Sequence, residues 1–85
     1  MKTAFAFTAS ARRDLAKLPA GLRKRVERKI GFYLSAPGPL AFAKSLVNLP
    51  PATHRFRIGN LRIKFFRQGD IFYITGIGHR SSIYR

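Results

Sequence analysis

The stretch that decides the fold is residues 53–85, THRFRIGNLRIKFFRQGDIFYITGIGHRSSIYR. Charged and apolar residues alternate along it, as they do in a β-strand with one buried face. The two clearest alternating runs, HRFRI and LRIKF, are separated by Gly59 and Asn60, which both tolerate a positive φ and favour a tight turn. We therefore predict two antiparallel strands joined by a two-residue turn.

Closing this hairpin gathers four cations on one side of the sheet. Arg57 then pairs with Arg62 and Arg55 with Lys64, because cross-strand partners point to the same face. The other face receives the apolar partners: Phe56, Ile58, Leu61 and Ile63. Directly opposed like charges destabilise a sheet by about 0.2–1 kcal/mol per pair, and a surface kept for solubility alone mixes both signs. The pattern therefore predicts a polyanion-binding surface, which we name the cationic face (Arg55, Arg57, Arg62 and Lys64).

A third strand is expected after a loop at residues 68–70. If the loop has three residues and Arg67 lies opposite Ile71, the even-numbered positions join the cationic face: Phe72, Ile74, Gly76, Gly78 and Arg80. The two glycines would then leave a depression that another backbone can approach. Tyr73 has the opposite parity and is expected in the core. Tyr84 stands at the edge of the cationic face if the extended run continues through Ser82. A slip of one residue would exchange the two faces.

The composition indicates one small, strongly basic domain over residues 1–85. The chain has 17 Lys and Arg residues against 3 Asp and Glu, a formal net charge of +14, and 46% hydrophobic residues. The hydrophobic content excludes a disordered basic tail, and a folded domain with this charge should bind nucleic acid or a strongly acidic protein. The chain has no cysteine, so disulfides and thiolate metal ligands are excluded, as suits a reducing cytoplasm.

No membrane or targeting segment is expected. No stretch reaches the roughly 20 apolar residues of a membrane span. The N-terminus superficially resembles a signal peptide, because an apolar run precedes Ala9-Ser10-Ala11. That run is interrupted by Thr3 and Thr8 and meets Arg12-Arg13 at once, so we reject a targeting signal and expect a cytoplasmic location.

The N-terminal half predicts a strand and two helices. Residues 3–7 read as a short strand, and a hydroxyl of Thr8 or Ser10 can cap the next helix. That helix is expected over residues 10–18, before Pro19 ends or redirects it. A second helix is expected over residues 20–34, and its apolar stripe is Leu22, Val26, Ile30, Tyr33 and Leu34.

The whole order predicts a two-layer α+β domain. An N-terminal strand and a helical hairpin should pack on the apolar side of a small, mainly antiparallel sheet, leaving the cationic face open to solvent. Residues 40–52 have the least clear secondary-structure pattern in the chain. Residues 40–43 fit a helical turn, and residues 49–51 fit an irregular crossing into the sheet.

Three segments resemble the RelE/ParE toxin superfamily of bacterial toxin–antitoxin systems. They are ARRDLAKLP at residues 11–19, RFRIGNLR at 55–62 and GHRSSIY at 78–84, and together they span essentially the whole chain in the superfamily's order. An ending with Gly-His-Arg and a later tyrosine is similar to the RelE branch, whose members cut mRNA in the ribosomal A site. The ParE branch poisons DNA gyrase with the same fold and usually lacks this arginine–tyrosine pair.

The resemblance implies a set of catalytic residues. Arg55 and Arg57 match the basic positions before the turn, Arg62 matches the arginine after it, and Arg80 and Tyr84 match the C-terminal pair. In RelE-like enzymes, which need no cofactor, the 2′-hydroxyl of the mRNA attacks the adjacent phosphate and leaves a 2′,3′-cyclic phosphate. Arg62 and Arg80 would hold the phosphate and stabilise the transition-state charge. Tyr84 would stack on a base, orient the nucleotide or move a proton.

One departure from the family concerns proton transfer. Some RelE enzymes have lysine where this chain has Arg55 and Arg57, and an arginine hardly loses its proton. Lys64 is the only lysine on the cationic face, so we take it as the substitute candidate for catalytic proton transfer. The residues expected to bind RNA are Arg55, Arg57, Lys64, Phe66 and Arg80.

Several residues keep a second, simpler interpretation. Phe66 and Phe72 would stack on bases, or else be covered by the antitoxin or by residues 40–52. His54 and His79 have the parity opposite to the cations, and two lone histidines without carboxylates do not indicate a metal site. The basic run at residues 23–29 is more simply a solvated helix face than a contact with ribosomal RNA.

Three functions remain open on the sequence. The first is a type II toxin that acts as a ribosome-dependent mRNA endoribonuclease, with the 70S ribosome and mRNA as partners. The second is a ParE-like gyrase inhibitor that acts by binding alone. The third is a plain nucleic-acid-binding module or an inactive toxin. Either toxin interpretation implies a cognate antitoxin, acidic where it wraps this domain, and contact with operator DNA only through that antitoxin.

Overall fold

The computed structural model describes residues 4–36, 38, 43–45 and 51–79. Within these residues, two helices pack on one face of a five-stranded sheet. The helices are α1 (Ala9–Ala16) and α2 (Ala20–Ser35), and the strands are β1 (Ala4–Phe7), β2 (Ala43–Ser45), β3 (His54–Ile58), β4 (Leu61–Gln68) and β5 (Ile71–His79). The predicted two-layer α+β class is confirmed.

The strands follow the order β1-β5-β4-β3-β2 across the sheet. β1 runs parallel to β5, and the other neighbouring pairs are antiparallel, so the expectation of a mainly antiparallel sheet is confirmed. β2 was not predicted as a strand. Ala43 pairs with Phe56 instead of ending a helical turn, while residues 40–42 lie outside the described part. A three-residue edge strand is too short to show an alternating pattern.

The ends of the helices have local causes. The Thr8 hydroxyl accepts a hydrogen bond from the Ala11 backbone N–H at 3.2 Å, so Thr8 caps α1, which begins one residue earlier than expected. The helix ends at Ala16, because the next two N–H groups bond three residues back: Lys17 to Asp14 and Leu18 to Leu15. This tighter last turn leads to Pro19, which precedes α2 with an extended backbone.

The core lies between the helices and the apolar face of the sheet. A row of aromatic rings in contact crosses three neighbouring strands, with 4.4 Å between the ring centroids of Phe56 and Phe65 and 5.4 Å between those of Phe65 and Phe72. Each fully buried side chain of this kind contributes about 1.5–3 kcal/mol. The helices supply the buried residues Ala11, Leu15, Val26, Ile30 and Leu34.

α2 is fixed to the hairpin through Tyr33. The Tyr33 ring packs on Phe56 with a centroid distance of 4.9 Å, and the Tyr33 hydroxyl donates to the Arg57 carbonyl oxygen at 3.4 Å. The contact holds the backbone of β3 from the helical side. The Arg57 side chain is exposed and projects from the opposite side of the strand.

The predicted register of the first hairpin is confirmed. Ile58 pairs with Leu61, Arg57 with Arg62 and Arg55 with Lys64 across the Gly59-Asn60 turn. Gly59 has a φ of +59°, a conformation that costs an ordinary residue about 1–2 kcal/mol. The turn therefore depends on glycine at this position.

The second hairpin differs from the prediction by one residue. Its turn has two residues, Gly69 and Asp70, because Gln68 belongs to β4 and pairs with Ile71. Gly69 supplies the positive φ, at +62°. The shorter turn moves Arg67 opposite Phe72 and reverses the parity at the start of β5.

A β-bulge at Thr75 then restores the predicted parity. Phe65 pairs with Ile74 but Lys64 pairs with Gly76, so Thr75 is the extra residue, and its hydroxyl donates to the Lys64 carbonyl oxygen at 3.3 Å. Such an insertion exchanges the faces of the residues before and after it. The one-residue difference in the turn is thereby cancelled for the second half of β5.

The predictions for β5 are therefore right in one half and wrong in the other. Gly76 and Gly78 lie opposite Lys64 and Arg62 on the cationic face, as predicted. Phe72 and Ile74, predicted on that face, are instead buried in the core, 1% and 0% exposed. Tyr73, predicted in the core, pairs with Phe66 on the cationic face. Arg80 lies outside the described residues.

Candidate nucleic-acid interface

Two adjacent strands present the four predicted cations as a compact group. The pairs Arg57–Arg62 and Arg55–Lys64 occupy successive rungs on the same face of β3 and β4, about 6.7 Å apart along the strands. Arg57 is exposed, Arg55 and Lys64 are half-buried, and Arg62 is buried. The face thus combines an accessible guanidinium with partly desolvated ones, in which electrostatic interactions are stronger than in water.

Arg62 is held against the turn that precedes it. Its Nη1 donates to the carbonyl oxygens of Gly59 at 3.3 Å and Leu61 at 3.1 Å, and the residue is only 6% exposed. A buried charge requires such hydrogen bonds, because desolvation would otherwise cost several kcal/mol. These contacts fix the guanidinium of Arg62 and brace the hairpin at the same time.

Lys64 fills the depression that the sequence predicted at Gly76. Its Cε lies 2.9 Å, and its Nζ 3.5 Å, from the point where a Cβ of residue 76 would stand. The lysine side chain therefore lies flat across the neighbouring strand, in space that only a glycine leaves open. The depression positions a cation of this chain instead of admitting another backbone.

An acidic residue that sequence reasoning did not place at the site stands beside Lys64. The Asp14 Oδ2 atom is 3.6 Å from the same Cβ position of residue 76 and accepts a hydrogen bond from the Ile77 backbone N–H at 3.0 Å. β1 pairs with β5 only as far as Ile74, so Asp14 takes over the edge of β5 beyond that point. The other two acids, Glu27 and Asp70, are exposed elsewhere.

A weak signal for Asp14 was present in the sequence. It lies three residues after Ala11 and one before Leu15, the two buried positions of α1. Helical spacing therefore places it on the flank of the buried stripe, an unusual place for a carboxylate without a partner. That pattern indicated a partner for Asp14, although not that the partner is β5.

Two aromatic rings extend the cationic face along β4 and β5. Phe66 lies on this face as its parity predicted, and Tyr73 joins it from the neighbouring strand. Their ring centroids are 5.1 Å apart with an interplanar angle of 20°, and both side chains are half-buried. The second expected platform, Phe72, belongs to the core.

Both histidines lie away from the cations, as their parity predicted. The His54 ring stacks on Phe65 at 5.8 Å, and its Nδ1 is 2.9 Å from the Thr53 hydroxyl oxygen. His79 pairs with Leu61 on the apolar side of the sheet. In the part of the chain that the structure describes, no group of three or more His, Asp or Glu residues could hold a metal ion.

The C-terminal pair of the predicted site lies outside the described residues. The structure therefore brings together Arg55, Arg57, Arg62, Lys64 and Phe66, while the positions of Arg80 and Tyr84 stay predictions. The basic run at residues 23–29 belongs to α2, in the layer opposite the cationic face, and most of it is exposed. Neither α1 nor α2 has the length and apolar character that a membrane-spanning helix requires.

Comparison with known proteins gives matches among solved structures. No protein-family model matches the chain, and no curated protein matches it significantly. The RelBE2 toxin–antitoxin complex from Mycobacterium tuberculosis matches with a TM-score of 0.76 and 28% identity, over 94% of this chain and 100% of that chain. The RelB–RelE antitoxin–toxin complex from Methanococcus jannaschii matches with a TM-score of 0.68 and 26% identity, over 92% and 93% of the two chains.

A more distant match has the same fold. A double arginine-to-alanine mutant of the E. coli toxin RelE in the free state matches with a TM-score of 0.69 over 96% of this chain and 88% of that chain. At 19% identity, this likeness shows the fold alone. The three matches nevertheless agree on one architecture for essentially the whole chain.

Proposed function

Because this chain has the fold of the RelE-like toxins, we propose that it is the toxin of a bacterial type II toxin–antitoxin system and acts as a ribosome-dependent mRNA endoribonuclease. The observation that carries the proposal is the cationic face. Four cations share two adjacent strands despite mutual repulsion that a purely structural sheet would avoid. A phosphate backbone is the ligand that relieves this repulsion.

The proposed reaction is an internal transfer of the RNA phosphate. The 2′-oxygen forms a bond to phosphorus, the bond from phosphorus to the 5′-oxygen breaks, and the products are a 2′,3′-cyclic phosphate and a 5′-hydroxyl end. A base accepts the proton of the 2′-hydroxyl, and an acid protonates the leaving 5′-oxygen. Charge accumulates on the non-bridging oxygens, so fixed cations at that position lower the barrier.

Arg55 and Arg57 would contact the RNA backbone, since their guanidinium groups can form paired hydrogen bonds to phosphate. Arg62 would stabilise the transition state together with Arg80. The hydrogen bonds from Arg62 to the turn support this role, because a fixed cation needs little reorganisation during the reaction.

Lys64 is the proposed proton-transfer group, with Tyr84 as its partner in moving a proton or orienting the nucleotide. The Lys64 ammonium has a defined position over Gly76, on the same face as the arginines that would hold the phosphate, which supports a role in proton transfer. Its donors can rotate about a single nitrogen, so it can follow the leaving oxygen. The Asp14 Oδ2 atom lies near the same position of residue 76, at 3.6 Å, so a carboxylate of this chain stands close to the ammonium.

The proposed partners follow from charge and from the neighbours. A chain with a net charge of +14 should be bound by an acidic antitoxin segment that covers the cationic face and so blocks RNA. Two of the solved neighbours are complexes of a toxin with its antitoxin. Operator DNA would be reached only through the antitoxin. The mRNA and 70S ribosome targets place the proposed toxin in the cytoplasm, and no observation favours the gyrase-inhibiting alternative.

A purified translation reaction with one defined mRNA tests the proposal. Primer extension should map cuts at A-site codons when ribosomes are present and none when they are omitted. Arg80→Ala should abolish the cuts and Arg57→Gln should reduce them about tenfold or more. Arg28→Gln, an equal loss of charge on the exposed side of α2, should retain them. Intact mRNA from a folded, growth-inhibiting protein would exclude the nuclease, and DNA supercoiling by gyrase would then be assayed.

A further inference from the structure

The stacked rings of Phe66 and Tyr73 have no role in the core. The buried cluster that joins the helices to the sheet includes neither residue. They form a cross-strand pair on the other side of the sheet, with 5.1 Å between centroids and nearly parallel ring planes. Both side chains keep part of their surface accessible. A protein that needed only a stable fold would gain more by burying these rings.

The β-bulge at Thr75 is what combines this pair with the cations. The two-residue turn before β5 puts Tyr73 on the cationic face. Without the extra residue, the same register would turn Gly76 away from Lys64. A side chain would then lie beneath the lysine, where the glycine now leaves space. The bulge therefore allows one face to carry aromatic rings at one end and, at the other, the glycine that lies beneath Lys64. Bulges near binding sites commonly redirect side chains in this way.

The rings continue a line of phosphate-binding groups along β4. Arg62, Lys64 and Phe66 are successive side chains on the same face, about 6.7 Å apart. A row of cations beside stacked aromatic side chains is the usual arrangement for binding single-stranded nucleic acid, because the cations contact the phosphates while the rings stack on the bases. An acidic peptide would use the cations but would gain little from a flat pair of rings.

Tyr73 also offers a polar group. Its hydroxyl makes no hydrogen bond to any described residue, while a phenolic hydroxyl can both donate and accept. Tyrosine is thus suited to stack on a base with its ring and to reach the base edge or ribose with its hydroxyl.

We propose that Phe66 and Tyr73 form a base-stacking subsite for a nucleotide of single-stranded RNA whose phosphate lies on Arg55 and Lys64. The inference rests on the proposed function in that it takes RNA as the ligand of the cationic face. It adds a contact to the base, whereas the cations contact only the backbone. The subsite would set the register of the RNA on the face and therefore which phosphate is cut.

The test is binding of a short single-stranded RNA that carries one 2-aminopurine, whose fluorescence is quenched when it stacks. We expect saturable quenching by the full-length protein. Phe66→Ile and Tyr73→Ile should each remove the quenching and weaken binding about 5- to 100-fold, and isoleucine keeps the strand propensity of both positions. Tyr73→Phe should keep the quenching. Phe32→Ile, which removes an exposed ring on α2 (60% exposed), is the matched control and should bind as wild type.

The salt dependence of binding separates base contacts from phosphate contacts. Arg57→Gln should reduce the magnitude of the slope of log K, the RNA-binding constant, against log salt concentration by about 1, because one phosphate contact is lost. Tyr73→Ile should leave this slope unchanged while lowering the affinity at every salt concentration. A reduced slope for Tyr73→Ile would show that the substitution disturbs the cations, and it would overturn the inference.

The remaining outcomes distinguish this inference from the nuclease proposal. Quenching without mRNA cleavage would support the subsite and exclude the nuclease. Cleavage by a protein whose Phe66→Ile and Tyr73→Ile variants bind and cut as wild type would exclude the subsite and leave the nuclease intact. Variants that bind RNA normally but lose affinity for the antitoxin would also overturn the inference, since the rings would then be an antitoxin contact.

Discussion

The side chain of Lys64 lies across the backbone of Gly76, with Cε 2.9 Å from the position that a Cβ of residue 76 would occupy. Gly76→Ala must therefore move the end of Lys64, which is flexible, without forcing the backbone apart. We expect the free energy of unfolding to change by less than about 1 kcal/mol and the rate of mRNA cleavage to fall about tenfold or more. Urea denaturation and the translation assay measure the two effects.

Gly31→Ala is the control for this substitution. A Cβ at residue 31 would meet no group within 4 Å outside the adjoining backbone of its own helix, and alanine in a helix interior is more stable than glycine by about 0.5–1 kcal/mol. The variant should be more stable and cut mRNA as wild type. Unchanged cleavage in Gly76→Ala would contradict the role given to the position of Lys64.

Asp14 should contribute to stability through its hydrogen bond, and removing its charge should have a smaller effect. Asp14→Asn retains an oxygen that can accept from the Ile77 N–H, whereas Asp14→Ala leaves this half-buried donor unpaired. We expect Asp14→Ala to cost about 1–3 kcal/mol and Asp14→Asn clearly less, both measured by chemical denaturation. Equal losses in the two variants would mean that the carboxylate charge, not the hydrogen bond, holds α1 to β5.

Arg57 should favour RNA binding at the expense of the fold. It lies directly opposite Arg62, and relieving such a like-charge pair stabilises a sheet by about 0.2–1 kcal/mol. Arg57→Gln should therefore leave the thermal midpoint unchanged or raise it, while cleavage falls about tenfold or more. A variant that loses stability and activity in parallel would show that Arg57 serves the structure.

Gly59 should be replaceable only by a residue that accepts its backbone conformation. At a φ of +59°, Gly59→Ala should cost about 1–2 kcal/mol, while Gly59→Asn should cost less because asparagine visits this region more readily. Both variants keep the carbonyl that accepts from Arg62. Denaturation curves for the pair check the prediction, and equal stability of the two variants would refute it.

The first hairpin could be predicted from the sequence because three signals agree on one register. Alternation, a turn pair that tolerates positive φ, and a clean separation of charge from apolar residues all specify the Gly59-Asn60 turn. The second hairpin lacks such agreement. Phe65 and Phe66 adjoin each other and residues 71–74 are all apolar or aromatic, so the pattern does not say which of them faces the core.

Two features of the site were beyond the reach of sequence patterns. The bulge at Thr75 has no distinctive sequence pattern, because it lies in a run of β-branched and glycine residues. It is visible only when both strands are paired. The approach of Asp14 to Gly76 depends on how α1 crosses the edge of β5. The hydrogen bond from Ile77 to Asp14 at this contact joins residues that are 63 positions apart along the chain. Periodicity within one element carries no information about such contacts.

The parallel pairing of β1 with β5 has a consequence for when the protein becomes functional. The first strand of the described chain is completed only by the last one, so the sheet cannot close while β5 is still inside the ribosome. Contacts between such distant residues also form slowly. Until then the basic hairpin lacks the strand that supplies Tyr73 and Gly76, the glycine beneath the Lys64 side chain. Synthesis of the chain and assembly of this surface are therefore separated in time.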